Sequence, residues 1–339
     1  MSRVLVMMSG GVDSSVAAAA LRDEGHDVTG VTLKLWGGES DSGCCSAADV
    51  EDARRVAAQL GIPHYVFNFA DEFDANVVSP YVDSYAAGET PNPCVECNRT
   101  MKFGRVLDRA LQLGYDDVAT GHHARVVDTP AGRAIARGAD PAKDQSYVLY
   151  MLGAEQLARI RLPIGEMTKA DVRARAHELG LRTAAKHESM DVCFITRGGR
   201  RAFLDDRIDR RPGRIVDTDG VGVGTHDGIE HFTIGQRRGT GIAQGERRYV
   251  IDIAPATATV TIGSRAALLR DRVLLRDPAF VRRPAGEVLA QTRAHGAPFA
   301  ARLEGDTLVF AQPQTRVAPG QVVACYEGDV LLGGGIAAA

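Results

Sequence analysis

The sequence predicts an α/β protein with an N-terminal doubly wound parallel sheet, a small central β-rich domain and a C-terminal β-barrel. Three observations support this prediction. Short apolar runs alternate with helical segments between residues 4 and 179, which is the pattern of buried parallel strands joined by helices. A glycine-rich loop follows the first apolar run, at the position where open α/β sheets bind their ligands. After residue 198, short strand-like runs separated by Gly, Asp and Pro replace the long helical patterns.

The N-terminal elements are predicted from their apolar patterns and from the residues that end them. Strands are predicted at residues 4–8, 28–36, 64–69 and 117–120. Helices are predicted at residues 14–24, 47–60, 73–87, 101–113 and 168–179. A glycine stops the first, second, fourth and fifth helices, and Pro80 is predicted to interrupt the third.

The rest of the chain is predicted to be mainly β-structure. A short helical segment is predicted near residues 202–208. Strand-like runs follow at residues 213–216, 232–234, 249–253, 257–262, 307–310 and 322–326. We therefore expect three domains, which span residues 1–197, 198–264 and 265–339.

Composition restricts the class of protein. The chain has 339 residues, of which 45% are hydrophobic and 24% charged, as in soluble globular proteins of two or three domains. No apolar run reaches the roughly 18 residues of a membrane helix, and the apolar stretch at the N-terminus is too short for a signal peptide. We therefore expect a cytoplasmic protein with no membrane partner.

Charge is distributed unevenly along the chain. Residues 1–100 carry 6 Lys/Arg against 15 Asp/Glu, whereas residues 101–339 carry 34 against 28. Of the 40 cationic residues 35 are Arg, the residue that makes bidentate contacts with phosphate. This distribution permits a polyanionic partner, and an ordinary solvated surface explains it equally well.

The loop after the first predicted strand has the composition of an anion-binding site. It reads Ser9-Gly10-Gly11-Val12-Asp13-Ser14-Ser15, so glycine N–H groups, hydroxyls and a helix N-terminus converge. It is neither GxxxxGK[ST] nor GxGxxG. The pattern resembles the PP-loop of ATP pyrophosphatases, which cleave ATP between its α and β phosphates. Asp13 would then act through Mg²⁺, because a carboxylate repels phosphate; an ordinary turn with a capping Asp is the alternative.

The cysteines indicate redox or metal chemistry, because a cytosolic chain of this length needs no disulfide framework. Cys94 and Cys97 form a C-x-x-C pair in a proline-rich loop that is predicted to resist helix formation until Asn98. Cys97 is therefore expected near a helix N-terminus, where the thiolate is favoured. A structural zinc on Cys44, Cys45, Cys94 and Cys97 is an alternative. Cys193 by itself resembles a buried core thiol.

An ATP-splitting loop together with reactive cysteines suggests sulfur transfer: ATP activates an oxygen, and a cysteine persulfide replaces it. Nine motifs also resemble the bacterial tRNA-specific 2-thiouridylases, which place sulfur at position 2 of the wobble uridine. They occupy residues 9–15 (SGGVDSS), 43–46 (GCCS), 88–93 (GETPNP), 102–103 (KF), 120–122 (TGH), 143–147 (KDQSY), 191–195 (DVCFI), 232–239 (FTIGQRRG) and 319–321 (PGQ), the last followed by 332–335 (LGGG).

The resemblance implies a fold, a reaction and a set of site residues. The N-terminal domain would be adenine nucleotide alpha-hydrolase-like. Cys193 would carry the persulfide, and Cys97 would end in a Cys97–Cys193 disulfide. ATP would lie against Met7, Met8, Ser9, Gly10, Gly11, Val12, Asp13, Ser14, Leu33 and Gly121. The tRNA would contact Asn92, Pro93, Cys94, His122, Lys143, Asp144, Gln145, Arg293 and Gln321. An upstream persulfide donor and a thiol reductant would be further partners, with ATP and Mg²⁺ as cofactors.

Three positions depart from the family pattern. Some members have Asp in place of Cys94, Tyr is common in place of His123, and the region of Arg293 often holds Arg-Tyr. The extra thiol leaves an alternative open, in which Cys94, Cys97 and Cys193 ligate a 4Fe–4S cluster whose fourth iron binds sulfide. A PP-loop amidoligase is a more remote alternative, as is an RNA-binding module with a degenerate nucleotide site.

Overall fold

The structure is a computed structural model that describes residues 1–35, 46–187, 192–195, 198–242, 247–294 and 296–339. Several features predicted from the sequence lie outside these residues. They are the end of the second predicted strand, Cys44, Cys45 and Asp191.

Strands and helices alternate in the N-terminal half, and strands dominate the C-terminal half. Strands β1 to β17 span Arg3–Met7, Asp27–Lys34, His64–Asn68, Asp117–Ala119, Ala124–Thr129, Gly132–Arg137, Ile160–Arg161, Gly213–Val216, Gly222–His226, Tyr249–Ala254, Thr259–Gly263, Leu269–Phe280, Glu287–Gln291, Phe299–Glu304, Thr307–Thr315, Val322–Glu327 and Val330–Ala337. Helices α1 to α9 span Val12–Asp23, Ala47–Leu60, Ala70–Phe73, Ser79–Ala86, Pro93–Glu96, Leu107–Gln112, Ala154–Leu157, Lys169–Glu178 and Gly199–Asp205. Two π-helical segments span Asp74–Val78 and Cys97–Val106.

The N-terminal sheet is parallel, as predicted, with strand order β3-β2-β1-β4-β7. β1 pairs with β2 on one side and with β4 on the other, so the strand order reverses at the carboxyl end of β1. Ligands of open α/β sheets bind at such a reversal. Apolar clusters cover both faces of the sheet, and Val4 and Val6 of β1 face one cluster while Leu5 and Met7 face the other.

Two predicted helices differ from the structure around their prolines. Pro80 does not interrupt its helix, because the chain widens into the π-helical segment Asp74–Val78 just before it and then continues as α4. The prolines near Cys94 do not delay the next helix to Asn98. Instead α5 begins at Pro93, since Pro is well suited to the first helical turn and Asn92 caps that turn by accepting a hydrogen bond from the Cys94 N–H at 3.1 Å.

The C-terminal half contains a four-stranded sheet of order β10-β11-β8-β9 and a closed barrel of six strands. The barrel closes because β12 pairs with both β15 and β17. The sequence pattern does not predict the hairpin β5–β6, which adds to the barrel sheet through Val330 and Ala136. The strand predicted at residues 232–234 is absent from the described structure, where the chain instead follows the short 3-10 turn Ile229–His231.

The barrel packs directly against the N-terminal part. The Tyr147 hydroxyl donates to the Val322 carbonyl at 2.6 Å, and the Arg137 guanidinium lies 3.8 Å from the ring centre of Tyr326. This packing holds the loop that contains residues 143–147 between the barrel and the N-terminal part of the chain. Among the helices that the structure describes, none is sufficiently long and apolar to cross a membrane.

Candidate active site

The glycine-rich loop lies at the carboxyl end of β1 and leads into α1, as the sequence predicts. Gly11 occupies the N-cap position and has no side chain with which to cap the helix. The Ser14 and Ser15 hydroxyls both donate to the Gly11 carbonyl, at 3.2 and 2.7 Å, which tightens the turn. The first-turn N–H groups and the helix dipole therefore suit an anion.

Two positions of the site must be glycine, because a side chain at either one would overlap neighbouring backbone atoms. Gly10 has φ +72°, and a Cβ there would overlap the Asp49 carbonyl of α2. A Cβ on Gly121 would lie 2.6 Å from the Ser14 nitrogen and 2.7 Å from the Asp13 carbonyl carbon. The chain after β4 thus presses directly on the loop, which places Gly121 at the predicted nucleotide site.

Asp13 contacts two basic side chains, those of Lys169 and His123. Lys169, the first residue of α8, places its Nζ 2.8 and 2.7 Å from the two carboxylate oxygens. His123 Nε2 lies 3.2 Å from Oδ1. Burial alone raises the pKa of Asp13, but the hydrogen bonds from His123 and Lys169 outweigh it and lower that pKa below its usual value. Asp13 is therefore ionised and paired.

A second lysine holds the other side of the loop. Lys186 Nζ donates to the Gly10 carbonyl at 3.0 Å and to the carboxylates of Asp49 and Asp52 at 2.7 and 2.8 Å. Burial alone lowers the pKa of Lys186, but the two carboxylates outweigh it and raise that pKa. The loop is thus flanked by two ammonium groups that come from far along the chain.

Sequence reasoning missed both lysines as site residues. The absence of Lys from the loop itself rules out a P-loop, yet lysine charge reaches this loop from α8 and from the segment after it. A signal was present in the composition, because only 5 of the 40 cationic residues are Lys and two of these five lie at the loop. In a chain that otherwise uses Arg, each Lys marks a place that needs a compact ammonium group.

The remaining predicted nucleotide residues line the same edge of the sheet. Met7 ends β1, and the Met8 N–H donates to the Val31 carbonyl of β2 at 2.7 Å. Leu33 lies near the carboxyl end of β2 and is buried in the same apolar cluster as Met7. The Ser9 N–H donates to the Ser14 hydroxyl at 3.2 Å. The structure therefore places Met7 to Ser14, Leu33 and Gly121 together.

The two predicted catalytic cysteines lie in or against the same apolar cluster. Cys97 is 7% exposed and belongs to the cluster, while the half-buried Cys193 packs against it. Phe194 fixes the position of its neighbour Cys193. Its buried ring lies 5.8 Å from the ring of Phe73 and 5.2 Å from that of Tyr81, both edge-on.

The expectation that Cys97 lies at a helix N-terminus needs correction. Because the helix begins at Pro93, Cys97 lies one turn farther in, at the start of the π-helical segment. It is Cys94 that occupies the first turn, where it is exposed. π-Helical segments are frequent at functional sites, and this one carries Cys97 at its first position.

The segment before Cys94 is held by the barrel. The Thr90 N–H donates to the Pro319 carbonyl at 2.7 Å, and Gln321 Nε2 donates to the Thr90 carbonyl at 2.5 Å. Arg276 forms two hydrogen bonds of 2.9 Å with Glu89. Gln321, which is predicted to contact tRNA, therefore uses its amide to position this segment.

A cleft opens beside the same segment. It has a volume of about 290 Å³ and lies between α4 and the barrel. Asn92 and Pro93, both predicted to contact tRNA, line it. The two residues directly before Cys94 therefore face a space that a ligand can enter.

Two predicted tRNA residues, Asp144 and His122, are buried. The oxygens of Asp144 accept from Arg137 and Gly138 at 3.0 Å, and from the Ser146 hydroxyl at 2.9 Å. That carboxylate folds its loop and faces no solvent. His122 bonds the Thr120 hydroxyl through Nδ1 at 2.7 Å, and burial lowers its pKa well below the usual value.

The other predicted tRNA residues lie nearer the surface. Lys143 is half-buried, and Gln145 and Arg293 are exposed. The Gln145 carbonyl oxygen Oε1 accepts from the His123 N–H at 2.9 Å, and the His123 ring contacts Asp13. A short chain of hydrogen bonds thus links the loop predicted to bind tRNA with the glycine-rich loop.

Comparison with known proteins identifies the family. The chain is 49% identical to the tRNA-specific 2-thiouridylase MnmA of Frankia casuarinae over 98% of both chains. It is 48% identical to the protein of that name from Roseiflexus sp. and 47% identical to that of Roseiflexus castenholzii, over 99% of each chain. This chain belongs to the tRNA-specific 2-thiouridylase family.

Three family models match successive segments of this 2-thiouridylase chain. A tRNA methyl transferase HUP domain matches residues 2–197, a tRNA methyl transferase PRC-barrel domain residues 201–264, and an aminomethyltransferase beta-barrel domain residues 270–337. The fold class expected from the sequence is thereby confirmed. The glycine-rich loop agrees with the use of ATP in this family.

Proposed function

We propose that this protein is an ATP-dependent tRNA uridine 2-sulfurtransferase that converts the wobble uridine, at anticodon position 34, to 2-thiouridine. The observation that carries the proposal is 47–49% identity to named 2-thiouridylases over at least 98% of both chains. The geometry supports both steps of this reaction, activation by ATP and transfer of sulfur. A glycine loop with two lysines suits a nucleoside triphosphate, and two cysteines share one apolar cluster.

ATP fits the glycine-rich loop on three features of the structure. Gly10 and Gly121 leave no space for side chains, because the Asp49 backbone packs against the first and the loop backbone against the second, so the tight shape of the loop is retained. The helix N-terminus at Gly11 supplies N–H donors. Lys169 and Lys186 lie on either side and offset the charge of the leaving pyrophosphate.

Mg²⁺ would be held by Asp13 and would offset phosphate charge when bound. The carboxylate is of the oxygen type that Mg²⁺ prefers, and both of its oxygens now bind Lys169. Exchange of Lys169 from Asp13 to a phosphate oxygen would leave Asp13 available to the metal. His123 would keep the carboxylate oriented during this exchange.

The reaction proceeds in two stages. The uridine oxygen at position 2 attacks the α-phosphate of ATP, and pyrophosphate leaves. The terminal sulfur of a Cys193 persulfide then attacks the adenylated carbon, and AMP leaves. Attack by the Cys97 thiolate on the Cys193 sulfur breaks the S–S bond. The transferred sulfur is thereby reduced, and Cys97 and Cys193 are oxidised to a disulfide.

The balance of electrons and sulfur in this reaction requires two further partners. A dithiol reductant must return two electrons to the Cys97–Cys193 disulfide, and a persulfide donor must then recharge Cys193. The tRNA would present its uridine through the cleft at Asn92 and Pro93, with Cys94 exposed at its edge. A base enters such a site only after it leaves the anticodon stack.

The test is nucleoside mass analysis of tRNA incubated with protein, ATP, Mg²⁺ and a persulfide source. Wild type should form 2-thiouridine, whereas Cys193→Ser and Cys97→Ser should form far less, by at least about 100-fold, because a catalytic nucleophile is lost. Both variants should still release pyrophosphate in the presence of tRNA, because adenylation does not use the thiols. Full thiolation by Cys193→Ser would overturn the proposed mechanism.

Cys94→Ser separates persulfide transfer from the 4Fe–4S alternative. Cys94 is exposed, whereas Cys97 is buried and Cys193 half-buried, which favours a two-cysteine mechanism. We expect Cys94→Ser to retain thiolation without iron. Thiolation that depends on Cys94 and on anaerobic iron reconstitution would instead support the cluster. Pyrophosphate release with a carboxylate substrate and no tRNA would support an amidoligase.

A further inference from the structure

A cluster of three potential metal ligands lies outside the active site, where α9 meets the 3-10 turn Ile229–His231. Asp205 ends α9, and Glu230 and His231 belong to the 3-10 turn Ile229–His231. One ligand atom from each of the three side chains lies within 4.8 Å of the other two. The proposed thiolation uses none of these residues.

Glu230 is unusual for a carboxylate because only 3% of it is exposed. Among the residues that the structure describes, its Oε1 has no hydrogen-bond partner. This oxygen is directed into the cluster and lies 3.6 Å from His231 Nε2. A buried carboxylate oxygen without a partner is costly, so its position calls for a cation.

The spacing of the ligand atoms fits a bound ion. His231 Nε2 lies 3.0 Å from Asp205 Oδ1, yet this Oδ1 likewise has no hydrogen-bond partner among the described residues. The three ligand atoms therefore lie within 4.8 Å of one another, and neither carboxylate oxygen has a hydrogen-bond partner among the described residues. Ligands about 2.1 Å from a tetrahedral zinc are separated by about 3.4 Å, close to the 3.0 and 3.6 Å found here.

We propose that Asp205, Glu230 and His231 bind a divalent transition-metal ion, with Zn²⁺ as the preferred ion. Zinc accepts both imidazole nitrogen and carboxylate oxygen as ligands, and a solvent molecule would complete four-coordination. Mn²⁺ accepts similar donors but binds imidazole less strongly. Zn²⁺ should therefore bind more tightly than Mn²⁺.

Gly228 shapes this site. A Cβ at this position would overlap both oxygens of the Glu230 carboxylate, so the carboxylate folds back over the glycine. The backbone of Gly228 is extended, with φ −175°, a conformation that alanine adopts without strain. Gly228→Ala thus displaces one ligand without removing any ligand atom.

The surroundings predict moderate affinity. Arg210 and Arg201 lie 3.7 and 4.0 Å from Asp205 Oδ2 and compete with the metal for its charge. Within the described part of the chain, His231 Nδ1 lacks the hydrogen bond that usually orients a ligating imidazole. Loss of such a contact lowers metal affinity about 10- to 100-fold.

The metal would attach α9 to the 3-10 turn Ile229–His231. Phe203 of α9 packs 5.3 Å from the ring of Phe194, the neighbour of Cys193. Arg200 of the same helix donates to the Tyr85 hydroxyl at 3.1 Å. The ion would therefore stabilise the helix that supports the Cys193 segment, independently of ATP and tRNA.

The experiment titrates full-length protein, first stripped with a chelator, with Zn²⁺ alone and then with Mn²⁺ alone. Calorimetry and elemental analysis after dialysis give affinity and stoichiometry. The variants are Glu230→Gln, His231→Gln and Gly228→Ala. Asp227→Asn is the matched control, because it removes an exposed acid close to the site in sequence and none of the three ligands. The Asp227 carboxylate lies 3.9 Å from Arg201.

We expect wild type and Asp227→Asn to bind one more equivalent of Zn²⁺ than each of the three variants, and to gain melting temperature on Zn²⁺ addition. Because thiols also bind Zn²⁺, Co²⁺ spectra of the wild type provide a second readout that needs no variant. The site should give weak ligand-field bands without a thiolate charge-transfer band. Equal zinc stoichiometry in wild type and variants, or cobalt bound by thiolates alone, would overturn the proposal.

Discussion

The glycine-rich loop and the cysteine pair are built by opposite means. The loop is held by charges, since Lys169 binds Asp13 and Lys186 binds Asp49 and Asp52. The cysteines are held by apolar packing, with Phe194 edge-on to Phe73 and Tyr81 beside Cys193. Fixed charges suit a step that separates phosphate charge. An apolar cluster suits sulfur, because apolar side chains limit the access of water.

This difference predicts that the two halves of the reaction can be impaired separately. Changes at the loop should lower pyrophosphate release and, with it, every later step. Changes around the cysteines should lower sulfur transfer and spare pyrophosphate release. Paired assays of tRNA-dependent pyrophosphate release and 2-thiouridine formation distinguish the two cases.

Gly121→Ala should have the largest effect. The new Cβ would lie 2.6 Å from the Ser14 nitrogen and 2.7 Å from the Asp13 carbonyl carbon, so the loop must move away from β4. We expect pyrophosphate release and thiolation to fall together, to about 1% of wild type or less, because displacement of about 1 Å costs on the order of 100-fold. Steady-state assays of both products measure this.

Gly222→Ala is the matched control, since a Cβ there meets no atom within 4 Å and its backbone is not left-handed. It should retain wild-type activity in both assays. If Gly121→Ala kept full pyrophosphate release, the assignment of this loop to ATP would be wrong.

Lys186→Met should have the next largest effect. It leaves Asp49 and Asp52 beside the loop without the ammonium group that bridges them, although Arg182 stays 3.1 Å from Asp52. Carboxylates that lose this charge repel the phosphates, so we expect the KM for ATP to rise about tenfold, which corresponds to about 1.4 kcal/mol. Lys169→Met should lower kcat as well, because the leaving pyrophosphate loses an ammonium group that would offset its charge. Initial rates of pyrophosphate release over a range of ATP concentrations measure both constants.

Arg55→Met serves as the control for the lysine variants. It removes an exposed ion pair with Glu51 on the same helix, α2, and exposed pairs contribute little. Its KM for ATP should equal that of wild type. An equal rise in KM for Arg55→Met and Lys186→Met would show that general charge, and not contact with the loop, sets ATP affinity.

Phe194→Leu should impair the packing around the cysteines and leave the glycine-rich loop unchanged. The smaller side chain loses edge-on contacts with Phe73 and Tyr81, which loosens Cys193 while both thiols remain. The loss of two aromatic pairs accounts for about 1 to 3 kcal/mol, and tenfold corresponds to about 1.4 kcal/mol. We therefore expect thiolation to fall about tenfold and pyrophosphate release to stay within about twofold of wild type. The same paired assays of the two products measure this.

Phe310→Leu controls for the loss of stability. Phe310 is buried in the barrel and lies edge-on to Phe299 at 5.1 Å, far along the chain from both cysteines. It should lower the melting temperature by a similar amount with thiolation unchanged. Parallel loss of both products in Phe194→Leu would contradict separate control of the two steps.

Features that depend on local pattern were predicted best. The glycine-rich loop, α2 at Ala47–Leu60 and the parallel sheet follow from apolar periodicity and turn residues. The π-helical segments were not predicted, because hydrogen-bond register inside a helix leaves no periodic signal. The interruption predicted at Pro80 was wrong, because the chain widens into a π-helical segment just before it. The delay of the next helix to Asn98 was also wrong, because Pro93 lies in the first helical turn, where its missing N–H does no harm.

The site was predicted only where its motifs are contiguous. Lys169 and Lys186 reach the loop through the packing of α8 and the segment after it, which the spacing of residues along the chain does not encode. Asp144 shows what a contiguous motif does not reveal. It lies in a motif that resembles a tRNA contact, and its carboxylate is buried between Arg137 and Ser146.

The smallest expected effect is on the pH dependence of protein stability, and it comes from His122. Burial lowers the pKa of His122 well below the ordinary 6.5, so the folded state binds fewer protons than the unfolded state. The stability that neutral His122 contributes is fully present above about pH 6.5 and falls as pH decreases toward its folded pKa. The slope for one such group is at most about 1.4 kcal/mol per pH unit.

His122→Gln should therefore reduce the difference in melting temperature between about pH 7.5 and about pH 5.5 without removing it. Burial also lowers the pKa of His64 and His226, so part of the pH dependence must persist in the variant. His177→Gln, at an exposed position of α8, should leave the difference unchanged. If the two variants behaved alike, His122 would be solvated in solution, and a direct contact between its ring and tRNA would again be the better explanation of its motif.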